Sequence, residues 1–411
     1  MVSTAEVAET REHESASNRR ASGWPSWAGW NGTGRRYTIG VEEELMLLDR
    51  SDHSPAQASD WVLDRLSSDL VGHLSPETHA AVVELTTGVH GHVAGAVAEL
   101  AELRARLWAQ LRSMGLCAAS AGTYPLAGPN EVRVSSAQRY EAVAAEMRML
   151  ARREPTMALH VHIGVPDPDD AIRLLNGLRD FVPVLVALSA NSPFCDGRDS
   201  GFASARALIF QGFPRTGTAR RFADYADYVQ TVNPLIASGA LSDPTFLWWD
   251  VRMQPILGTV EIRVMDAQSA VADSAPLIAL VQSLSRLVLE GDPLNHAMAP
   301  EVLAENGFLA ARDGLDARLV DPVTCQLVPA RPLLIRLLAK CRPHAAALGC
   351  SAELEQVTRL AAVSGAERQR ARAGEAGLAG LIATLSAQFA AEGGRVGQAR
   401  LSASAHRGAL R

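Results

Sequence analysis

Tyr37-Thr38-Ile39-Gly40-Val41-Glu42-Glu43-Glu44-Leu45-Met46-Leu47-Leu48-Asp49 reads as a β-strand with one chemical face. Ile39, Val41, Leu45 and Leu47 recur at period two, the spacing of a strand with one buried side. Alternate side chains share a face, so Glu42 and Glu44 point the same way. Two neighbouring carboxylates beside apolar residues repel, and both resist ionising. A divalent cation between them removes that conflict, and oxygen donors suit magnesium or manganese. The same alternation also describes an edge strand with a solvated acidic face.

Two further runs repeat the pattern. In Ala158-Leu159-His160-Val161-His162-Ile163-Gly164, both imidazoles fall on one face, with Val161 and Ile163 opposite. In Gly258-Thr259-Val260-Glu261-Ile262-Arg263-Val264-Met265-Asp266, Glu261 and Arg263 share a face, with Val260, Ile262 and Val264 behind. Singly, these are also the patterns of core histidines and of a plain salt bridge. Three strands with apolar backs and ionisable fronts suggest one sheet, packed on a core on one side and lining a polar cavity on the other. A fourth run, Pro76 to Gly88, adds Glu77 and Glu84. Seven residues are two turns of a helix, which would aim both acids in one direction. Glu77 also suits a helix's first turn as an acid favoured by the dipole. Glu84 lies among Val82, Val83 and Leu85, a poor place for a carboxylate without a partner.

From about Tyr37 to about Arg372 the chain resembles the carboxylate–amine ligases of the type 2 glutamate–cysteine ligase family. The matching segments are Gly40–Glu44, Pro76–Glu84, His160–Gly164, Ala187–Phe194, Gly201–Arg206, Trp249–Arg252 and Gly258–Val264. They stand in the family's order and at its spacing. The resemblance implies an α+β fold: a glutamine-synthetase-like curved antiparallel sheet with helices packed on its convex face. It implies ATP-dependent amide formation through an acyl phosphate, with glutamate–cysteine ligation as one candidate activity. It implies metal ligation by Glu42, Glu44, Glu77, Glu84, Glu261 and His160, with Mg2+ expected and Mn2+ an alternative. Glu261 and Arg263 become the catalytic pair, with Arg263 also near the transferred phosphate of ATP. Arg206 and Arg252 become substrate-binding residues. One departure stands out: after Ser120-Ala121-Gly122-Thr123 the family usually has His-Pro, whereas this chain has Tyr124-Pro125.

The inventory suits such chemistry on its own terms. Activating a carboxylate with ATP requires charge neutralisation and alignment, hence clustered carboxylates for cations and arginines for phosphate and substrate. No Gly-x-x-x-x-Gly-Lys-Ser/Thr run and no convincing Gly-x-Gly-x-x-Gly indicates a P-loop or a dinucleotide fold. A metal-dependent amidohydrolase using His160, His162 and the glutamates is the rival enzyme, and tight stoichiometric zinc would mark it. A catalytically silent binding protein of the same fold is the third reading.

The 411 residues are 47% hydrophobic with a net charge of −6, enough for a large core and without the basic block that nucleic acid requires. The candidate residues run from Glu42 to Arg263, so residues 37–392 read as a single catalytic domain. Residues 1–36 read as a disordered tail and 393–411 as a flexible one. Trp24, Trp27 and Trp30 either dock on a surface or sit incidentally in that first tail. No apolar run long enough to span a membrane and no signal peptide stands out, and five cysteines without Cys-x-x-Cys spacing suit reduced thiols. A cytoplasmic enzyme acting on a small-molecule acid and amine is expected, and a homodimer is compatible with the sequence. The stripe Leu100, Leu103, Leu107, Leu111 and Met114 predicts a helix on the sheet's apolar back. Gln211 to Thr218 predicts a turn-rich loop near the substrate.

Overall fold

Strand β1, Ile39–Asp49, alternates as its sequence predicts. The computed structural model describes residues 23–32, 34–126, 132–153, 155–291 and 298–408, the last sixteen by backbone only. The other strands of the main sheet are β2 (Leu74–Pro76), β3 (Val82–Thr86), β4 (Leu116–Ala119), β5 (Ala158–Gly164), β6 (Val251–Gln254) and β7 (Thr259–Asp266). Their order is β6-β7-β5-β1-β3-β2, with β4 also pairing β1, and every pairing is antiparallel. This is the expected sheet class.

One face is apolar but for a single buried ion pair. Ile39, Val41, Leu45, Leu47, Val161, Ile163, Val260 and Ile262 lie in one core cluster. Two helices cover it: α1 (Val93–Ser113), through Leu100, Leu103, Leu107 and Leu111, and α7 (Val271–Glu290), through Leu277, Leu280 and Leu284. Helix α7 is long and apolar enough to cross a membrane by length and composition, so one apolar run does reach that length, contrary to the expectation. It is 83% buried in the protein, as a core helix is. Six more helices complete the frame of the site: α2 (Gln138–Met147), α3 (Pro168–Leu178), α4 (Val182–Ser189), α5 (Ala205–Gln211), α6 (Tyr225–Ala237) and α8 (Pro300–Asp313). Helices α3 and α4 are the run expected from Ala171 to Leu188, broken by a 3-10 turn just before Pro183.

Glu43 interrupts the apolar face of β1. It is fully buried and receives two 2.6 Å hydrogen bonds from the Arg104 guanidinium of α1. Arg104 also donates to Glu392 at 2.8 Å and to the carbonyls of Gln268 and Ser269. The network ties the C-terminal helix, Gly365–Gly408, to the back of the strand that carries Glu42 and Glu44. Arg104→Met leaves Glu43 charged, buried and unpaired, a loss of about 3–5 kcal/mol of folding stability. Urea unfolding checks this, and a loss below about 1 kcal/mol, the size of an exposed pair, would contradict it.

Two expectations need correction. Pro76 to Glu84 is not a helix. It is a hairpin, in which Ser75 pairs with Glu84 and Pro76 with Val83. Val83 and Leu85 are buried at period two, and the β-branched Val82 and Val83 favour extended backbone. The seven-residue spacing had suggested the wrong period.

The first 36 residues are not uniformly loose either. Residues 1–22 lie outside the described residues. Beyond them, Trp24 and Trp30 meet Tyr225 edge-on, at centroid distances of 4.8 and 5.8 Å, and Trp27 meets Tyr228 at 6.2 Å. The Trp30 indole N–H donates to Val165 O at 2.8 Å. These tryptophans dock on the protein's own surface. At the other end, the backbone from 393 to 408 continues as helix.

Candidate active site

Strand register assembles the polar face. Glu42 stands opposite His160, and Glu44 opposite Glu84. His162 stands opposite Gly40 on one side and Glu261 on the other, and Glu261 is opposite Arg252. Glu77 joins from the β2–β3 connection, where Tyr140 of α2 donates to it at 3.3 Å. Three overlapping groups result, each with donor atoms within 4.8 Å of one another: Glu42, His162 and Glu261; Glu42, Glu84 and His160; Glu44, Glu77 and Glu84. All six residues expected as metal ligands are therefore brought together, Glu77 and Glu84 by a hairpin. His162 joins them, although its neighbour had been favoured as the ligand.

Within the cluster, His160 Nδ1 is 3.1 Å from Glu42 Oε2 and His162 Nε2 is 3.1 Å from Glu42 Oε1. His162 Nδ1 is 3.0 Å from the Thr259 hydroxyl, which orients the ring. His160 Nε2 is buried with no hydrogen-bond partner. Buried polar atoms are normally satisfied. An orphaned imidazole nitrogen and a second imidazole beside five carboxylates make a donor set that fits cations, with oxygen predominating as magnesium prefers.

The charges divide in two. Burial raises Glu42, but His162 and His160 outweigh it and hold that carboxyl well below its usual range. Burial also opposes ionisation of Glu261, yet Arg252 and Arg263 hold it far down. On the other side, burial and then Glu77 push Glu44 up to about 8. Burial raises Glu77. Burial, then Glu42, Glu77 and Glu44, raises Glu84 well above the usual carboxyl. Burial and then Arg263 lower His160 to about 4, which leaves it neutral and able to coordinate.

Arginines close the opposite wall. Arg263 is ion-paired with Glu261 Oε1. Arg252 donates to Glu261 Oε2 at 2.7 and 2.9 Å and to Thr245 O at 2.6 Å. Arg206 of α5 is buried and donates to Val264 O and Arg263 O at 3.2 and 3.1 Å. Asp266 anchors this region, accepting from Ser192, Ser204 and the Asn191 N–H. The Asn191-Ser192 and Ser204-Ala205-Arg206 segments meet there. Gly122 abuts the same carboxylate, where a Cβ would fall 2.7 Å from Asp266 Cγ.

Glu42, Glu44, Glu77, Glu84 and His160, with Arg206, Arg252 and Arg263, line a cavity of about 290 Å³, to which Arg139, Tyr140, Phe213 and Trp248 also contribute. Phe213 comes from the Gln211–Thr218 loop expected near the substrate, whereas Arg139, Tyr140 and Trp248 are not picked out by the sequence as part of a site. The pairing of Arg139 with Thr245 spans 106 residues, which no local pattern reveals. Tyr124 is absent from the lining. It is buried, and its hydroxyl donates to His53 O at 2.9 Å. The expected Gln211–Thr218 loop borders the neighbouring cavity, with Thr216–Gly217 paired to Trp248–Trp249.

His160→Ala should abolish metal-dependent stabilisation. The resemblance implies His160 alone of the two histidines as a ligand, but His162 Nε2 lies as close to Glu42 as His160 does, so His162→Ala should lose a comparable amount. Thermal melts with and without magnesium test this, and an undiminished magnesium response in His162→Ala would return it to a supporting role.

An antiparallel sheet bearing carboxylates, histidines and arginines over a cavity is chemically suited to cations and phosphate groups. The chain belongs to the glutamate–cysteine ligase family 2, whose model matches residues 38–377. It is 40% identical over 336 residues to a Rubrobacter xylanophilus protein provisionally named glutamate–cysteine ligase 2-1, covering 81% of this chain and 89% of that one. A similarly named Gloeobacter violaceus protein is 35% identical over 340 residues, covering 81% and 91%. The fold is similar to that of the Francisella tularensis glutamate–cysteine ligase solved with AMP. The TM-score is 0.63 at 13% identity, over 92% of this chain and 95% of that one. A bifunctional glutathione synthetase from Pasteurella multocida also has a TM-score of 0.63, at 14% identity, over 87% and 53%.

Proposed function

We propose that this protein is an ATP-dependent carboxylate–amine ligase that forms an amide through an acyl phosphate. The observation that carries the reading is the convergence of Glu42, Glu44, Glu77, Glu84, His160 and Arg263 on one cavity, with Glu261 and His162 in ligand reach of Glu42 just behind them. Glu42, Glu44, Glu77, Glu84, Glu261 and His160, with His162, would hold magnesium. Bound there, the cations supply charge neutralisation for the triphosphate. Arg263 faces the transferred phosphoryl group and is held in place by Glu261. Arg252, expected to bind substrate, gives two donors to Glu261 and one to Thr245 O, so it acts through Glu261 instead. Arg206, which borders the cavity and keeps an unpaired Nε, receives the carboxylate of the acid.

The acid's carboxylate oxygen attacks the γ-phosphorus of ATP, and ADP leaves. The amine nitrogen then attacks the acyl carbon, and inorganic phosphate leaves. We place the enzyme in the cytoplasm, where its five cysteines, none of them in a disulfide, stay reduced. The test is a screen of ADP release over acid–amine pairs, L-glutamate with L-cysteine included, with mass spectrometry of the products. ADP that requires both acid and amine, together with an amide product, supports the reading. Stoichiometric zinc with amide hydrolysis and no ATP consumption would replace it with a hydrolase.

A further inference from the structure

Beside the metal-lining cavity lies a second, of about 380 Å³. Arg206, Phe210 and Arg263 line both, so the two spaces share a wall. The far walls differ in character. Val182 and Val186 of α4 face Leu303 and Ala304 of α8 across an apolar chamber, and its polar end holds Asp250, Thr216 and Thr218.

The charges there are unequally committed. Arg263 is ion-paired with Glu261, and Arg206 is fastened to two backbone carbonyls with Asp266 3.9 Å away. Asp250 has no ion-pair partner among the described residues. Its Oδ2 accepts from the Thr218 hydroxyl at 2.7 Å, and no described residue donates to its Oδ1. A carboxylate at the end of an apolar chamber, one arginine away from the metal cluster, complements a cation with a greasy body.

We propose that this second cavity binds the acceptor amine, as a primary ammonium on a small aliphatic or aromatic body, with Asp250 and Thr218 receiving the nitrogen. The assignment rests on the ligase reading and adds the class of amine. It places the amine beside Arg206 and Arg263, which also line the metal cavity; the ammonium gives one proton to Asp250, and the freed nitrogen attacks the acyl carbon past those two side chains as inorganic phosphate leaves with the second proton.

Calorimetric titration with isoamylamine, and with isovalerate as the matching acid, tests it in the presence of magnesium and a non-hydrolysable ATP analogue. Isoamylamine should bind the wild type, and Asp250→Asn should weaken it about tenfold or more, since a charge-assisted contact is lost. Gly307→Leu is the second variant. Gly307 lines the chamber, and a Cβ there meets nothing within 4 Å, so leucine fills the space without straining the helix. It should weaken isoamylamine to a similar degree while the melting temperature holds.

Failure of the wild type to bind isoamylamine overturns the proposal. So does equal binding by Asp250→Asn, or competition by isovalerate. Turnover separates the two readings. Amine-dependent ADP release with an unchanged KM for isoamylamine in Asp250→Asn removes the cavity assignment and leaves the ligase. Asp250-dependent amine binding with no ADP release from any acid–amine pair leaves the amine site and removes the ligase.

Discussion

Glu42→Gln and Glu84→Gln will each lower turnover by on the order of 10²–10³-fold while the protein remains folded. Each residue belongs to two of the three ligand groups, so either change disturbs two cation positions at once. Glutamine keeps the shape and removes the charge that a cation needs. At Glu84 the change also mimics the protonated acid that burial and the neighbouring glutamates already favour. Metal-free Glu84→Gln should therefore melt no lower than the wild type and no longer gain from magnesium. Turnover measured across a magnesium titration, alongside calorimetric melts, checks both statements. Near-normal activity of either variant at limiting magnesium would remove that residue from the ligand set.

Magnesium binding will release protons, and affinity will fall as the pH drops below about 8, the value to which burial and Glu77 raise Glu44. Glu77 and Glu84 are raised as well, so the cluster holds protons near neutrality that a cation must displace. Each displaced proton makes affinity about tenfold weaker per pH unit below the raised value. The sign for stability follows from the same shift. Glu44 is raised from 4.5 to about 8 in the folded protein. Its contribution to the metal-free fold is fully present below 4.5 and is lost as the pH rises through about 8. Magnesium should restore stability on the alkaline side. Titration calorimetry in buffers of differing ionisation enthalpy reads the proton release directly. Heats independent of the buffer, with affinity flat from pH 6 to 8, would show that the carboxylates are already ionised.

The polar faces of β1, β5 and β7 were legible because strand periodicity is a local property. Glu42 and Glu44 must share a side whatever lies around them, and so must His160 and His162. The Pro76–Glu84 segment was misread because Glu77 and Glu84 satisfy a helical spacing while Val83 and Leu85 satisfy a strand's. The pairing partner that settles the conflict is β1, about 40 residues away in sequence. Glu43 looked like one acid of three. Its role as an anchor depends on Arg104 and on Glu392 from the far end of the chain. Asp250 lay inside a quoted motif without an assignment, because its significance is the chamber between α4 and α8. The docking of Trp24, Trp27 and Trp30 is likewise a tertiary fact, resting on Tyr225 and Tyr228 of α6.

Activation of a carboxylate by phosphoryl transfer from ATP, proposed for the glutamate cluster, is tested most directly by isotope transfer. An acid identified in the ADP-release screen, labelled with 18O in its carboxylate, is turned over with ATP, magnesium and amine, and the inorganic phosphate is analysed by mass spectrometry. An acyl phosphate delivers one 18O atom to each phosphate released, and Glu84→Gln should suppress labelled and total phosphate together. Amide formation with unlabelled phosphate, or with the label in AMP, would contradict the account.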